Sequence, residues 1–386
     1  MPNVSQVDII FFPDPELTGT QEYVLGVSEL KKRLPSTCKW YEQTHAKHLP
    51  SESLKLYGKS PWVLLVLTSS ILISDHLVEE LFSVAKESGR TCVLPEDPRG
   101  LPGNFPLDYT TRPGFDRFVR QLTQRERWRE YDGRTPWIML ARRDDASELL
   151  EKRIPLIELP FRTASPPLIA THAFVHSYAD YFHHDRAEML HLLPANVQSL
   201  LDVGGGLGNF AFSFLKERSG RAVLVEPVPK VAEIARKRGL SVIQGDFLSV
   251  SIDEKFDCVS FLDVLEHLPD PAFALSRARA CLNPGGYLLL SVPNIGHWSI
   301  VRDLLEGQFD YQPAGILCIT HLRFFTCSSL RTLIEDAGFR IMRWENVHSP
   351  PNNNFLLLLN NAAKAGIKPD LTNLSTESFH VLAVCD

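Results

Sequence analysis

Cysteine is scarce in this chain and is not arranged in pairs. The seven cysteines are scattered through 386 residues, their number is odd, and no Cys-x-x-Cys spacing occurs. A disulfide framework and a cysteine zinc site both need such groupings, so neither is expected. This usage fits a reducing compartment, and we predict a cytoplasmic protein.

Long hydrophobic runs are missing as well. The longest, at residues 63–67 and 355–359, are far shorter than the roughly 20 apolar residues that cross a bilayer. Residues 1–10 do not show the basic stretch and the following apolar stretch of a signal peptide. We therefore expect no membrane span and no cleaved leader, and interpret the short runs as buried strands or helices.

An excess of positive charge is also absent. The chain has 40 Lys and Arg against 46 Asp and Glu, for a net charge of -6. This balance argues against a polyanionic partner such as bulk nucleic acid. Basic clusters at residues 31–33 and 117–129 are better interpreted as solvated helix faces.

The first 160 residues alternate apolar strand patterns with amphipathic helix patterns. Strands are predicted at residues 7–12, 62–67, 91–94 and 137–141, with helices at 22–33 and 75–88. This alternation favours a mostly parallel α/β sheet covered on both faces. Because four prolines fall between residues 155 and 167, we expect a linker at residues 161–172, after a domain at 1–160.

One strand of this first domain carries a weak family resemblance. Residues 60–70 resemble the strand that ends in paired aspartates in nucleotide-sugar glycosyltransferases, but Thr68, Ser69 and Ser70 stand in their place. Hydroxyl groups bind a hard divalent cation poorly compared with carboxylates. The resemblance implies a domain that has lost sugar transfer and binds a glycan, a partner or the acceptor; a structural or dimerising domain is the alternative.

The second half is organised around a glycine-rich turn. An apolar run at residues 200–203 leads into the pattern Asp202-x-Gly204-x-Gly206-x-Gly208, followed by a helix pattern. Glycine allows a sharp turn and a close approach of the backbone to a ligand. The dinucleotide fingerprint requires glycine where Asn209 stands, which disfavours a nicotinamide dehydrogenase.

This turn resembles motif I of the class I S-adenosylmethionine-dependent methyltransferases. The resemblance covers residues 173–386 and implies an α/β fold: a Rossmann-like seven-stranded methyltransferase sheet, preceded here by a second, smaller α/β domain. It also implies S-adenosylmethionine as cofactor, with its amino-acid end in the turn formed by Asp202, Gly204, Gly206 and Gly208. Aromatic residues of a helical lead-in at 173–193 would cover the sulfonium or pack on the sheet.

Acidic residues follow the next strand patterns. Glu226 ends the second strand, where a carboxylate can accept both ribose hydroxyls. Asp246 ends the third, where it can accept from the adenine amino group while Phe247 covers the ring. Asp263 follows the fourth strand and is expected to contact the cofactor as well. The order of these residues along the chain makes the interpretation specific.

The residues after the fourth strand resemble motif IV of the quinone O-methyltransferases, in which Glu-His follows the strand. Here those residues are Glu266 and His267. His267 could be a general base on an acceptor hydroxyl, since its ordinary pKa near 6.5 suits that role. Alternatively, the pair orders the loop or helps to seat an optional divalent ion.

Residues 295–325 follow the fifth strand, where these enzymes build a lid over the acceptor. Within it, His321 is a second candidate base and Arg323 could steer an anionic acceptor. The alternative is that this segment caps the next helix and packs its phenylalanines inward.

We therefore predict a methyltransferase acting on a small-molecule or glycan acceptor, with oxygen the favoured acceptor atom. A homo-oligomer is possible, and no resident metal is assigned. The alternative is a cofactor-binding pseudoenzyme or scaffold that acts through its N-terminal domain.

Overall fold

The computed structural model describes residues 4–12, 21–42, 56–68, 71–97, 112–122, 126–133, 136–152, 154–177 and 186–385. The chain forms two compact units, Met1–Ala179 with Asp310–Ala314, and Asp180–Phe309 with Gly315–Asp386. Some residues named above or expected in the helical lead-in lie outside the described part of the chain: Ser69, Ser70, Tyr178, Tyr181, Phe182, His183 and His184.

The first unit is an α/β sheet domain. Its strands are β1 (Val7–Phe11), β2 (Lys39–Glu42), β3 (Trp62–Val66), β4 (Ile71–Ile73), β5 (Cys92–Glu96), β6 (Trp128–Glu130), β7 (Ile138–Arg142) and β8 (Leu168–Ser177), and its helices are α1 (Gln21–Arg33), α2 (Leu77–Ser88), α3 (Arg112–Leu122) and α4 (Arg143–Glu151). The strand order is β2-β1-β3-β7-β5-β8-β4, with β6 on β8. The sheet is mixed rather than mostly parallel, because β7 runs antiparallel to both of its neighbours.

The boundary of the first unit differs from the expected one. Residues 168–177, which overlap the expected linker and the start of the expected helical lead-in, form β8 inside the first sheet. Pro166 and Pro167 come directly before this strand, where a missing N–H breaks no ladder bond. The prolines therefore precede a strand and do not form a linker. At the end of the expected lead-in, residues Ala187–Leu192 form a short 3-10 helix.

The second unit contains the expected seven-stranded sheet. Its strands are β9 (Ser199–Val203), β10 (Arg221–Glu226), β11 (Ser241–Gln244), β12 (Phe256–Leu262), β13 (Leu282–Pro293), β14 (Phe339–His348) and β15 (Thr376–Cys385), and its helices are α5 (Asn209–Glu217), α6 (Pro229–Lys237), α7 (Pro271–Ala280), α8 (Trp298–Leu305), α9 (Cys327–Asp336), α10 (Asn353–Lys364) and α11 (Leu371–Leu374). The order β11-β10-β9-β12-β13-β15-β14 is parallel except for β15, which runs antiparallel to β13 and β14. The predicted α/β class is confirmed.

This topology brings five strand ends to one edge of the sheet. Strands β9, β10, β11, β12 and β13 all run parallel, so each ends at the same edge. The chain order reverses at β9, with β10 on one side and β12 on the other. Open α/β sheets bind ligands at such a reversal, beyond the carboxyl ends of the strands.

Within the described ranges, no helix combines the length and the apolar character needed to cross a membrane.

Candidate functional site

The glycine turn joins the buried strand β9 to helix α5. Gly206 and Gly208 have φ of 58° and 75°, a left-handed conformation that favours glycine. A Cβ on Gly208 would lie 2.1 Å from Leu240 Cδ1, and one on Gly204 would lie 2.9 Å from the Val264 methyl groups. A Cβ on Gly206 would have no atom within 4 Å. Two of these glycines therefore permit close packing, whereas Gly206 faces open space.

Glu226 lies at the end of β10, next to this turn. It is 4% exposed, its Oε2 accepts the Gly206 amide at 3.1 Å, and its Oε1 accepts the Val228 amide at 2.9 Å. Burial raises the pKa of Glu226, while the two amides oppose that rise. The carboxylate is thus fixed in orientation beside the open side of the turn.

Asp202 lies beneath the turn and is 1% exposed. Its Oδ1 accepts the Ser260 hydroxyl at 2.7 Å, and its Oδ2 would lie 2.2 Å from a Cβ on Gly205. Burial raises the pKa of Asp202 to about 7, against the hydrogen bond from Ser260, which lowers it. This placement supports the turn from below; direct contact with a cofactor stays a prediction.

Asp246 and Phe247 follow β11 but differ in environment. Asp246 is exposed, and its Oδ1 accepts the Leu248 amide at 2.9 Å. Phe247 is 3% exposed and packs edge to face against Phe261, with ring centroids 5.4 Å apart. The structure therefore places Phe247 in the core of the second unit. That position does not fit the expected cover over an adenine ring, because the apolar ring packs against the buried strand β12.

Asp263 follows β12 in a left-handed conformation with φ of 55°, which is uncommon for a residue other than glycine. Its Oδ1 accepts the Ser291 hydroxyl at 2.6 Å, and its Oδ2 pairs with the Arg186 guanidinium. The side chain is therefore held by β13 and by the segment before β9. Sequence analysis did not indicate Arg186 as the partner, because the two residues lie 77 positions apart along the chain.

Glu266, His267 and His321 form a cluster beyond β12. Glu266 and His321 are 0% and 4% exposed, and His321 Nε2 lies 3.9 Å from Glu266 Oε1. The two imidazole rings meet edge to face, with centroids 4.7 Å apart. Burial raises the pKa of Glu266 to about 8. Burial, followed by the proximity of His267, lowers the pKa of His321 to about 4.

Backbone hydrogen bonds hold this cluster together. The amides of Leu322 and Arg323 both donate to the Glu266 carbonyl oxygen, at 2.8 and 3.0 Å. The two candidate bases, which sequence analysis treated as alternatives, thus lie side by side. Arg323 itself is exposed, and its guanidinium donates to the carbonyl oxygens of Leu322 and Pro269. Its role in steering an acceptor stays a prediction.

Comparison with known proteins places the second half of the chain in a family. Residues 174–343 match a family model described as a methyltransferase domain. This match assigns residues 174–343 to a methyltransferase domain. The order of the glycine turn and of the acids at the strand ends, already found in the fold, agrees with this assignment.

Curated relatives of the methyltransferase domain include two ubiquinone biosynthesis O-methyltransferases. The one from Xylella fastidiosa is 30% identical over 131 residues, which are 29% of this chain and 53% of the relative. The one from Hydrogenovibrio crunogenus is 27% identical over 151 residues, 36% of this chain and 61% of the relative. The chain thus spans little more than half the length of these relatives.

A solved structure of similar fold is the magnesium protoporphyrin IX methyltransferase from Synechocystis with bound SAH. It is 15% identical, and the match covers 53% of this chain and 84% of that chain with a TM-score of 0.38.

Proposed function

We propose that this chain is an S-adenosylmethionine-dependent methyltransferase that acts on an oxygen of a small-molecule or glycan acceptor. The observation that carries the proposal is the open side of the glycine turn. Gly206 faces free space there, and its amide is held by the buried carboxylate of Glu226. A methyltransferase domain needs such a cradle for the amino-acid end and the ribose of its cofactor.

The residues around the turn fit the cofactor. Each oxygen of Glu226 accepts one backbone amide and has a second lone pair for a ribose hydroxyl. Asp246 presents an exposed carboxylate at the end of β11 for the adenine amino group. A bound S-adenosylmethionine supplies an activated methyl group. The remaining task of the protein is to hold the acceptor in line with that group, which lowers the barrier through proximity.

The acceptor side favours oxygen because a hydroxyl group must lose its proton during transfer. Glu266, His267 and His321 lie beyond β12 on the other side of the strand reversal from Glu226. His267 is the more exposed of the two histidines, so it is the better candidate to meet an acceptor. The names of the two curated relatives, both O-methyltransferases, support the same acceptor atom.

The proposal is tested by calorimetric titration of the full chain with S-adenosylhomocysteine. We expect micromolar binding by the wild type and a loss of at least about ten-fold in affinity for Gly206→Ala, because the new methyl group enters the cradle. The matched control is Gly239→Ala. Gly239 also has a positive φ and nothing within 4 Å of a Cβ, so it carries the same kind of backbone strain at a turn after α6.

Two results would contradict the proposal. A folded wild type that does not bind S-adenosylhomocysteine would favour the pseudoenzyme or scaffold alternative. Equal affinities for Gly206→Ala and Gly239→Ala would show that the glycine turn is not the seat of the cofactor. If binding is confirmed, mass spectrometry of products from phenolic and sugar acceptors tests the choice of oxygen.

A further inference from the structure

A second charged side chain, Arg238, also holds the glycine turn. Its Nη1 donates to the Leu207 carbonyl oxygen at 2.6 Å and to the Asn209 side-chain oxygen at 2.7 Å. These two residues flank Gly208, so one guanidinium nitrogen bridges the last glycine of the turn. The guanidinium also lies over the exposed ring of Phe212, with its central carbon 5.0 Å from the ring centroid. Arg238 therefore joins the turn to the first residues of α5.

Helix α6 fixes the point from which this side chain extends. Arg238 is the residue directly after α6, and its backbone amide donates to the carbonyl oxygens of Ile234 and Ala235, at 3.1 and 3.2 Å. Its side chain is exposed. A long exposed side chain loses conformational freedom when it is held in one place, and the contacts with the turn and with α5 offset that cost.

The contact gives a reason for the departure of this sequence from the dinucleotide fingerprint. That fingerprint requires glycine at position 209, and glycine has no side chain that could accept from Arg238. Asn209 is the first residue of α5, and Gly208 before it provides no side-chain cap for the helix. The side-chain oxygen of Asn209 supplies an anchoring point that glycine or alanine would lack.

A turn rich in glycine needs anchors because glycine adopts many backbone conformations. Gly204, Gly206 and Gly208 all have positive φ, which glycine can leave as readily as it enters. Glu226 accepts the amide of Gly206, and Arg238 donates to the carbonyl group of the next residue. A binding loop that is already held in one conformation loses less freedom when its ligand binds, and its affinity is correspondingly higher.

We propose that Arg238 is a positioning residue of the cofactor site, which acts through Leu207 and Asn209. The proposal rests on the proposed function, because it assumes that the cofactor lies in the glycine turn. It adds a residue from outside the turn that keeps the turn ready for binding. Removing this contact should lower the affinity for the cofactor and leave the stability of the fold unchanged, since exposed charged contacts contribute little to stability.

The test is calorimetric titration of the full chain with S-adenosylhomocysteine. We expect Arg238→Ala to lower the affinity about five-fold, and Asn209→Ala to lower it about two-fold because one of the two hydrogen bonds remains. The double variant should lose less than the product of the two single losses, since both changes remove a shared contact. Arg238→Lys should recover part of the affinity, because an ammonium group can donate to one of the two oxygens.

The control is Arg236→Ala, which removes the same charge from the same helix. Arg236 is exposed and donates to the Gln244 side chain and to the Val242 carbonyl oxygen on β11, both at 3.4 Å. This variant should bind S-adenosylhomocysteine with the affinity of the wild type. Thermal unfolding without ligand is measured on every variant, and we expect the same midpoint for Arg238→Ala and Arg236→Ala.

The outcomes separate this proposal from the proposed function. If the wild type binds S-adenosylhomocysteine and Arg238→Ala binds as tightly as Arg236→Ala, the positioning role is overturned and the cofactor site stands. A loss of affinity accompanied by a lower unfolding midpoint, or fully additive losses in the double variant, would also overturn the positioning role. A folded wild type that does not bind S-adenosylhomocysteine would overturn both.

Discussion

Replacing Asp202 with asparagine should change how the stability of the second unit depends on pH. Burial raises the pKa of Asp202 from 3.8 to about 7, a rise of about three pKa units. At about 1.4 kcal/mol per unit, this corresponds to roughly 4 kcal/mol between the protonated and the ionised forms. The folded chain binds this proton more tightly than the unfolded chain. The resulting stabilisation is therefore complete below about pH 4 and is lost as the pH rises to about 7.

Asp202→Asn removes the titrating group and keeps an oxygen that can accept the Ser260 hydroxyl. We therefore expect the variant to unfold with a free energy within about 1 kcal/mol of that of the wild type at pH 4.5. At pH 8 it should be more stable than the wild type, by up to roughly 4 kcal/mol. The gain at pH 8 comes from avoiding a buried negative charge near Glu226, whose proximity also raises the pKa of Asp202.

The assay must isolate the second unit, because a chain of two units need not unfold in one step. Hydrogen–deuterium exchange of peptides from β9 and β10 in increasing urea does this, and comparing the two proteins at one pH cancels the intrinsic exchange rates. Asp253→Asn, at an exposed position, controls for the change in net charge. An identical difference between wild type and Asp202→Asn at both pH values would refute the reasoning.

Three further predictions concern single contacts. Phe247→Leu should lower the free energy of unfolding by about 1 kcal/mol and leave S-adenosylhomocysteine affinity unchanged by calorimetry, because the ring packs in the core; a large loss of affinity would restore the adenine-cover interpretation. Arg186→Ala and Asp263→Asn should show a coupling of about 1 kcal/mol or more in a double-mutant cycle of urea unfolding, and additive effects would contradict a working ion pair. Thr326→Ala should cost about 1 kcal/mol in the same assay, because Thr326 caps α9 through the Ser329 amide; no change would show that the cap contributes nothing.

Much of the second unit could be predicted from sequence because its signals are local. The turn at Gly204, Gly206 and Gly208 follows an apolar strand, and Glu226 stands at the end of the next one. Strand ends and glycine turns depend on residues within a few positions of each other. The seven-stranded sheet then followed from the family resemblance, and the structure confirms it.

The rest could not be predicted because it depends on contacts between distant segments. Prolines 166 and 167 indicated a linker, but the pairing of β8 with β5 and β4 makes that stretch a strand. Phe247 has the same local sequence whether it packs inward or covers a ligand. Only the position of Phe261 on strand β12 decides between the two.

The grouping of Glu266 with His321 is the clearest example of a contact between distant segments. It also places the acceptor side of the proposed site apart from the cofactor side on one edge of the sheet. No spacing rule links these residues; the amides of Leu322 and Arg323 bring them together by donating to the Glu266 carbonyl oxygen. Glu226 and the glycine turn lie at β9 and β10, whereas the Glu266 cluster lies beyond β12, across the reversal in strand order. Substitutions at Glu226 should therefore lower the affinity for S-adenosylhomocysteine in calorimetry, whereas substitutions at His267 should leave that affinity unchanged. Each half of the proposed chemistry can fail without the other.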